Sequence, residues 1–374
     1  KEEDKQQVAT STVVADEAAV QAAALPAAES TDKASVGEQE ESAPSIEEAS
    51  PPPTRCVVDS PPLADQKEDT LSETASVMEA DSPGDKGVVA LRQKRIQVAE
   101  ANEELSRNGT IPETILISYD TCEQAQRMIK EQGAEDVART GKRCDVTFAT
   151  WSTADAMLHF TKLVGRRRRV CGLAFGNGVR VGSGYKTGAG AQEEDLCRRI
   201  PSLYSSLQAA KKEGHYPFGP STCQSVDIPG RYSDVLFTAD LVVARSSEKD
   251  GYGLLPAHEQ ARDVSLVMAA APNISFTDEI YDHKLMSKTV TSMFTAPLLV
   301  RPGTGVLVLG PWGCGSFGND PHEISSLFAE AIASDELGQL YEEVHFAFPP
   351  QDNAAKIFRD ALRQRGIEFQ ELAT

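Results

Sequence analysis

The sequence predicts an α/β fold, a layered sheet with helices on both faces, carried by residues 88–374. Three observations predict it. Short apolar, strand-like runs alternate with helix-period segments through this region. Two glycine-rich loops, at 182–190 and 310–319, each follow a strand-like run and lead into a helix. The 287 residues after position 87 are enough for one compact domain with a sizeable core.

Residues 1–87 differ from the rest. They hold 20 Asp and Glu against 6 Lys and Arg, and so carry 14 of the chain's 19 net negative charges. They contain eight prolines and no Phe, Trp or Tyr. Such a composition cannot bury enough apolar surface to offset the entropy of ordering it. The segment therefore reads as a disordered, acidic, proline-containing tail, whose charge speaks against direct binding of nucleic acid. The chain opens on Lys1, and residues 1–24 show no charged-then-apolar signal pattern. No apolar run approaches the roughly 20 residues needed to cross a bilayer. Seven cysteines, at 56, 122, 144, 171, 197, 223 and 314, form no C-x-x-C pair. Separate reduced thiols in an intracellular protein, cytoplasmic or nuclear, are the expectation.

The elements of the folded part follow in order. Residues 88–107 are good helix formers stopped by Asn108-Gly109, 115–119 read as a short strand, and 121–132 as a helix ending at Gly133. Residues 145–150 form the next strand, and Ser152 caps a helix through Leu163. The run Arg166-Arg167-Arg168-Arg169 reads as a solvated turn before the strand 170–175. Its functional alternatives are a nuclear import signal or a polyanion contact. After the first glycine loop come a short helix at 192–200 and a second at 202–212. A long irregular link leads to a strand at 235–244, broken near Asp240, then to a strand at 264–270 and a helix at 280–294. Residues 305–309 are a buried strand. Asp320-Pro321-His322-Glu323 supplies an N-cap, a proline at the first helical position and a capping-box glutamate. A strand at 344–348 and a helix at 352–365 close the domain.

A strand, a glycine loop and a helix N-terminus can bind phosphate, because free backbone N–H groups converge there on an anion. The plainer reading of each loop is a tight turn that needs glycine. Two such loops at one sheet edge could clasp a diphosphate from both sides, which points to a nucleotide-diphosphate ligand. Glu193 and Glu194 open the helix after the first loop. As sequence neighbours they point about 100° apart, so they do not suit the opposed acid and base of an ordinary glycosidase. One proton donor and one acceptor of ribose hydroxyls is a more natural division. The alternative is that they simply complement the helix dipole.

With these residues laid out, the chain resembles the microbial-type poly(ADP-ribose) glycohydrolases, over about residues 91–360. The resemblance rests on Gly182-Ser183-Gly184-Tyr185, Gly188-Ala189-Gly190-Ala191, Gln192-Glu193-Glu194, Leu196-Cys197-Arg198-Arg199 and Leu203-Tyr204. Tyr232-Ser233-Asp234, Ala271-Pro272-Asn273 and the loop from Leu309 to Pro321 extend it. It implies a three-layer, macrodomain-like mixed sheet and hydrolysis of the ribose–ribose bond of poly(ADP-ribose), releasing ADP-ribose. Glu194 would be the catalytic acid that later activates water, and Glu193 would hold ribose hydroxyls. Gly182, Ser183 and Gly184 would line the catalytic loop. Gly313, Gly315, Ser316, Phe317 and Gly318 would pack on the diphosphate and distal ribose, with Gln192 and Asn273 also counted among the substrate-binding residues. The polymer or ADP-ribosylated protein would be substrate and ADP-ribose a ligand. No cofactor and no metal are implied, since neither the six histidines nor the cysteines form a ligand-spaced cluster.

Two positions depart from the family pattern. Ser183 replaces the middle glycine, where its side chain could crowd the diphosphate. Arg180-Val181 stands where the family has Asn-Pro. A guanidinium there could grip phosphate but cannot accept a hydrogen bond. The alternatives are an ADP-ribose-binding reader with weak or no turnover, and a hydrolase of another ADP-ribose linkage.

Overall fold

The structure is a computed structural model that describes residues 83–140, 144–163, 169–222, 230–334, 337–350 and 352–373. Among these, one eight-stranded sheet contains β1 (Thr114–Ile117), β2 (Asp145–Ala149), β3 (Arg169–Gly176), β4 (Val235–Val243), β5 (Ala261–Ala270), β6 (Thr304–Leu309), β7 (Glu343–Ala347) and β8 (Gln370–Glu371). The strand order is β1-β4-β5-β3-β6-β7-β2-β8. Every pairing from β5 to β8 is parallel, and β4 alone runs antiparallel to its neighbours β1 and β5. The sheet is therefore mixed.

Alternation along the strands sets the layers. In β3, Val170 and Ala174 face one core while Cys171 and Leu173 face the other. The first core is completed by α3 (Thr153–Lys162), α4 (Gln192–Arg199) and α5 (Leu203–Lys212), with Ala99 of α1 (Pro83–Arg107). The second is completed by α6 (His283–Val300), α7 (Pro321–Ala333) and α8 (Ala354–Gln364), with Cys122 of α2 (Tyr119–Thr140). Helices thus cover both faces, giving the three layers that the resemblance implies.

Several boundaries differ from expectation. The tail expected over 1–87 lies outside the described residues as far as position 82, and α1 begins at Pro83 instead of 88. Proline fits a first helical position because its missing N–H would have no partner there. Helix α2 runs through Gly133 to Thr140, since an isolated glycine costs a helix only about 1 kcal/mol. Helix α6 starts at His283, where the Asp282 carboxylate accepts from the Leu285 amide, and continues past Pro297 to Val300. Glu323 does not turn back to Asp320 as a capping box requires. It accepts from the Tyr281 hydroxyl at 3.4 Å, and Asp320 alone caps the His322 amide. The break near Asp240 is present as a register shift in β4, with Asp240 at a φ of 56°. Arg166 to Arg168 lie outside the described residues, and Arg169 opens β3. Among the described residues no helix is long and apolar enough to cross a membrane. Among the described residues Cys122, Cys171, Cys197 and Cys314 are free thiols.

Candidate active site

The parallel strands end at a common edge, where ligands of open α/β sheets bind. The segments after β2, β3, β5, β6 and β7 line one cleft of about 1470 Å³ there. Its lining includes Glu193 and Glu194 in the first turn of α4, and Gly313, Gly315, Ser316 and Phe317 after β6.

The loop between β3 and α4 is built around the two carboxylates. Gly182 and Ser183 both adopt left-handed backbone, with φ of 63° and 45°. The turn delivers the Gly182 amide to Glu193 Oε1 at 3.0 Å and the Ser183 hydroxyl to Glu193 Oε2 at 2.8 Å. The Asn177 amide adds a third donor to Oε2 at 3.2 Å. The next amide in register, from Gly184, donates to Glu194 Oε1 at 3.0 Å. A Cβ on Gly184 would stand 2.5 Å from Ala189 Cβ, so the loop closes this tightly only with glycine there. Glu193 and Glu194 are 2% and 3% exposed. Burial pushes the Glu193 carboxyl up to about 8, with the Glu194 charge adding to the rise and the three donors opposing it. Glu194 Oε2 is buried and has no hydrogen-bond partner among the described residues.

The two glycine loops use their amides differently. The amides of Gly182, Ser183 and Gly184 are all engaged, by Glu193, the Arg180 carbonyl and Glu194. Two of them hold carboxylates and the third a backbone carbonyl, so none of the three is left for a phosphate. In the loop after β6, by contrast, the amides of Gly313, Gly315, Ser316 and Phe317 have no acceptor among the described residues. Four N–H groups without acceptors on one short loop are the kind of donors an anion cradle uses. The loop's shape is fixed from behind. The buried Trp312 donates through its indole N–H to the Ala269 carbonyl at 3.0 Å, and the Asn319 amide group donates to the Pro272 and Gly313 carbonyls. Gly313 has a φ of 73°, and a Cβ there would lie 2.6 Å from Ala271 Cβ.

Other predicted residues fall in distinct places. Ser183, Gln192 and Asn273 line the cleft, whereas Gly182, Gly184 and Gly318 shape it from behind and Arg180 is absent from its lining. The Arg180 residue is exposed, and its amide donates to Asn177 Oδ1. The Gln192 side chain is spent on β3. It accepts from the Phe175 amide and donates to the Leu173 carbonyl and Thr153. Asn273 Oδ1 is buried without a partner among the described residues. The Ser183 hydroxyl, expected to crowd the diphosphate, points instead to Glu193.

The sequence reading missed several residues. Asn177 is a donor to Glu193 and lies at the end of β3, a position whose only signal is that it follows a strand in an α/β sheet. Phe276, 81% exposed, stands on the cleft rim in the segment after β5, with the solitary signal of an aromatic among polar residues. Arg199, 1% exposed, anchors α4 by binding Asp155 at 2.7 Å and Ser152 at 2.8 Å. Asp195, also on α4, accepts from the Tyr252 hydroxyl at 2.8 Å. These contacts hold the helix that carries both glutamates. Among the described residues no group of three His, Cys, Asp or Glu could hold a metal ion.

The family model described as "Microbial-type PARG, catalytic domain" matches residues 92–245. No curated protein matches the chain. Solved structures do. Poly(ADP-ribose) glycohydrolase from Thermomonospora curvata bound to the inhibitor ADP-HPD is 23% identical, with a TM-score of 0.54 over 73% of this chain and 99% of that one. The glycohydrolase from Deinococcus radiodurans in complex with ADP-ribose is also 23% identical, with a TM-score of 0.51 over 74% of this chain and 97% of that one. Over residues 92–245 the chain is thus similar to the microbial-type PARG catalytic domains, and its fold is the one the bacterial glycohydrolases share.

Proposed function

We propose that this chain hydrolyses the ribose–ribose O-glycosidic bond of poly(ADP-ribose), free or on ADP-ribosylated protein, and releases ADP-ribose. The observation that carries the reading is Glu194. Its Oε1 is tied to the Gly184 amide, and its buried Oε2 is free among the described residues, in the same cleft as the four unengaged amides at 313–317. A diphosphate held on those amides would bring the adjoining ribose toward the glutamates. Glu193, already accepting three hydrogen bonds, would fix the ribose through its hydroxyls.

In the reaction the Glu194 carboxyl gives its proton through Oε2 to the leaving 2′-oxygen as the bond from that oxygen to C1 of the sugar breaks. The sugar becomes oxocarbenium-like. Water then adds to C1, and its proton returns to Glu194, which restores the acid. The bacterial relatives solved with ADP-ribose and with ADP-HPD support this choice of ligand. We assign Gly182, Ser183 and Gly184 to holding the carboxylates, Gly313, Gly315, Ser316 and Phe317 to the diphosphate, and Asn273 to the cleft wall between them. The catalytic domain would span 88–374, with the acidic segment before it serving as a tail. The free thiols fit a reducing compartment, cytoplasmic or nuclear.

The test is incubation of the chain with purified poly(ADP-ribose), scored for polymer length and free ADP-ribose. Shortening with release of ADP-ribose is the expected result. Tight binding of ADP-ribose with the polymer left intact would instead make the chain a reader.

A further inference from the structure

The geometry points to Ser183 as a positioning residue for Glu193, its hydroxyl holding the carboxylate that receives the ribose. This rests on the ribose-binding role proposed for Glu193, and it concerns a position where the chain departs from the glycine of the family it resembles. Three facts carry it. Ser183 occupies left-handed backbone, at a φ of 45°, where a side chain is strained and glycine is not. It gives Glu193 a side-chain donor at 2.8 Å, the shortest of the three donors the carboxylate accepts. The remaining ionisable groups around Glu193 do not help it carry charge. Glu194 lies beside it on α4, Cys197 one turn further on, and Tyr216 in the segment after α5. No lysine, arginine or histidine among the described residues bonds to it.

A carboxylate buried next to another needs hydrogen-bond donors to remain an acceptor. Backbone amides supply two, and a glycine at 183 could supply no side-chain donor. The serine hydroxyl adds a charge-assisted bond at the oxygen it shares with the Asn177 amide. It thereby fixes the orientation of the carboxylate and favours its ionised form. Ribose hydroxyls donate to that form, so the hydroxyl at 183 should extend ribose binding toward lower pH.

Two variants separate this role from a backbone one. Ser183→Ala removes the hydroxyl and keeps the strained backbone, and Ser183→Gly removes both. The primary readout is the ¹³C carboxyl titration of Glu193 in the ligand-free protein, assigned with Glu193→Gln. It does not depend on whether the chain turns over polymer. In both variants the Glu193 titration should move up by about one pH unit, a tenfold change in its protonation equilibrium. ADP-ribose affinity should fall across the same shifted limb, while the thermal midpoint rises only for Ser183→Gly. A titration unmoved in both variants, or moved in Ser183→Ala alone, overturns the inference. A titration that moves as expected in a protein that leaves the polymer intact upholds Ser183 and counts against glycohydrolase activity instead.

Discussion

Glu193 should make the folded state less stable as pH rises, and Glu193→Gln should remove that dependence. Burial, reinforced by the neighbouring Glu194 charge, raises the folded-state carboxyl from 4.5 to about 8. A carboxyl whose folded value lies above its unfolded value contributes stability that is fully present below pH 4.5 and lost as pH climbs through about 8. At about 1.4 kcal/mol per unit, a shift of about 3.5 units sets a ceiling of about 5 kcal/mol on the loss. Glutamine keeps the shape but presents an NH₂ where the carboxylate accepted, so one donor among Asn177, Gly182 and Ser183 loses its acceptor. That costs about 1–3 kcal/mol at every pH. The informative quantity is therefore the slope and not the absolute stability. Urea unfolding between pH 5 and 9 should show wild type declining across this window and the variant nearly flat by comparison. Parallel curves would refute the reasoning that burial governs Glu193.

Other expectations follow from the loop after β6. Gly313→Ala must fit a Cβ 2.6 Å from Ala271 and 2.8 Å from the Asn319 amide at a φ of 73°, so it should cost about 2–3 kcal/mol in denaturant unfolding. Gly315→Ala meets no atom within 4 Å and should change stability by less than about 0.5 kcal/mol. Equal losses for the two would mean that the loop is not held from behind as described. Phe276→Ala should weaken ADP-ribose binding by about 1–3 kcal/mol if its exposed ring stacks on the adenine. The melting temperature should hardly move. Unchanged affinity in calorimetric titration would show that the Phe276 ring does not touch the ligand.

Much of the fold was legible because periodicity reports burial. The amphipathic helix after Asp320 carries its own period, and the apolar runs at 170–175 and 305–309 are short and end at glycine, which favours strands. Boundaries were less legible where a weak local signal met tertiary packing. Gly133 does not stop α2, and the segment before His283 stays outside α6 until Asp282 caps it. In the site, the motif containing Glu193 and Glu194 was readable, as was the glycine loop at 313–318. What sequence could not show is where each N–H goes. Loops of similar composition serve different purposes, because Gly182 and Gly184 face the first turn of α4 and Gly313 and Gly315 face the cleft. The same limit hid the turn of Gln192 into β3 and of the Ser183 hydroxyl onto Glu193. Nor does the sequence show that Arg199 is the buried anchor of α4.

The most direct measurement is ADP-ribose release from poly(ADP-ribose) by Glu194→Gln beside wild type, with ADP-ribose affinity determined for both. Glutamine preserves the oxygen that accepts from Gly184 and abolishes the proton at Oε2. Release should fall at least 10²-fold, as expected when a general acid is lost, with affinity within a few-fold of wild type. Release at the wild-type rate would contradict the assignment of Glu194 as the proton donor.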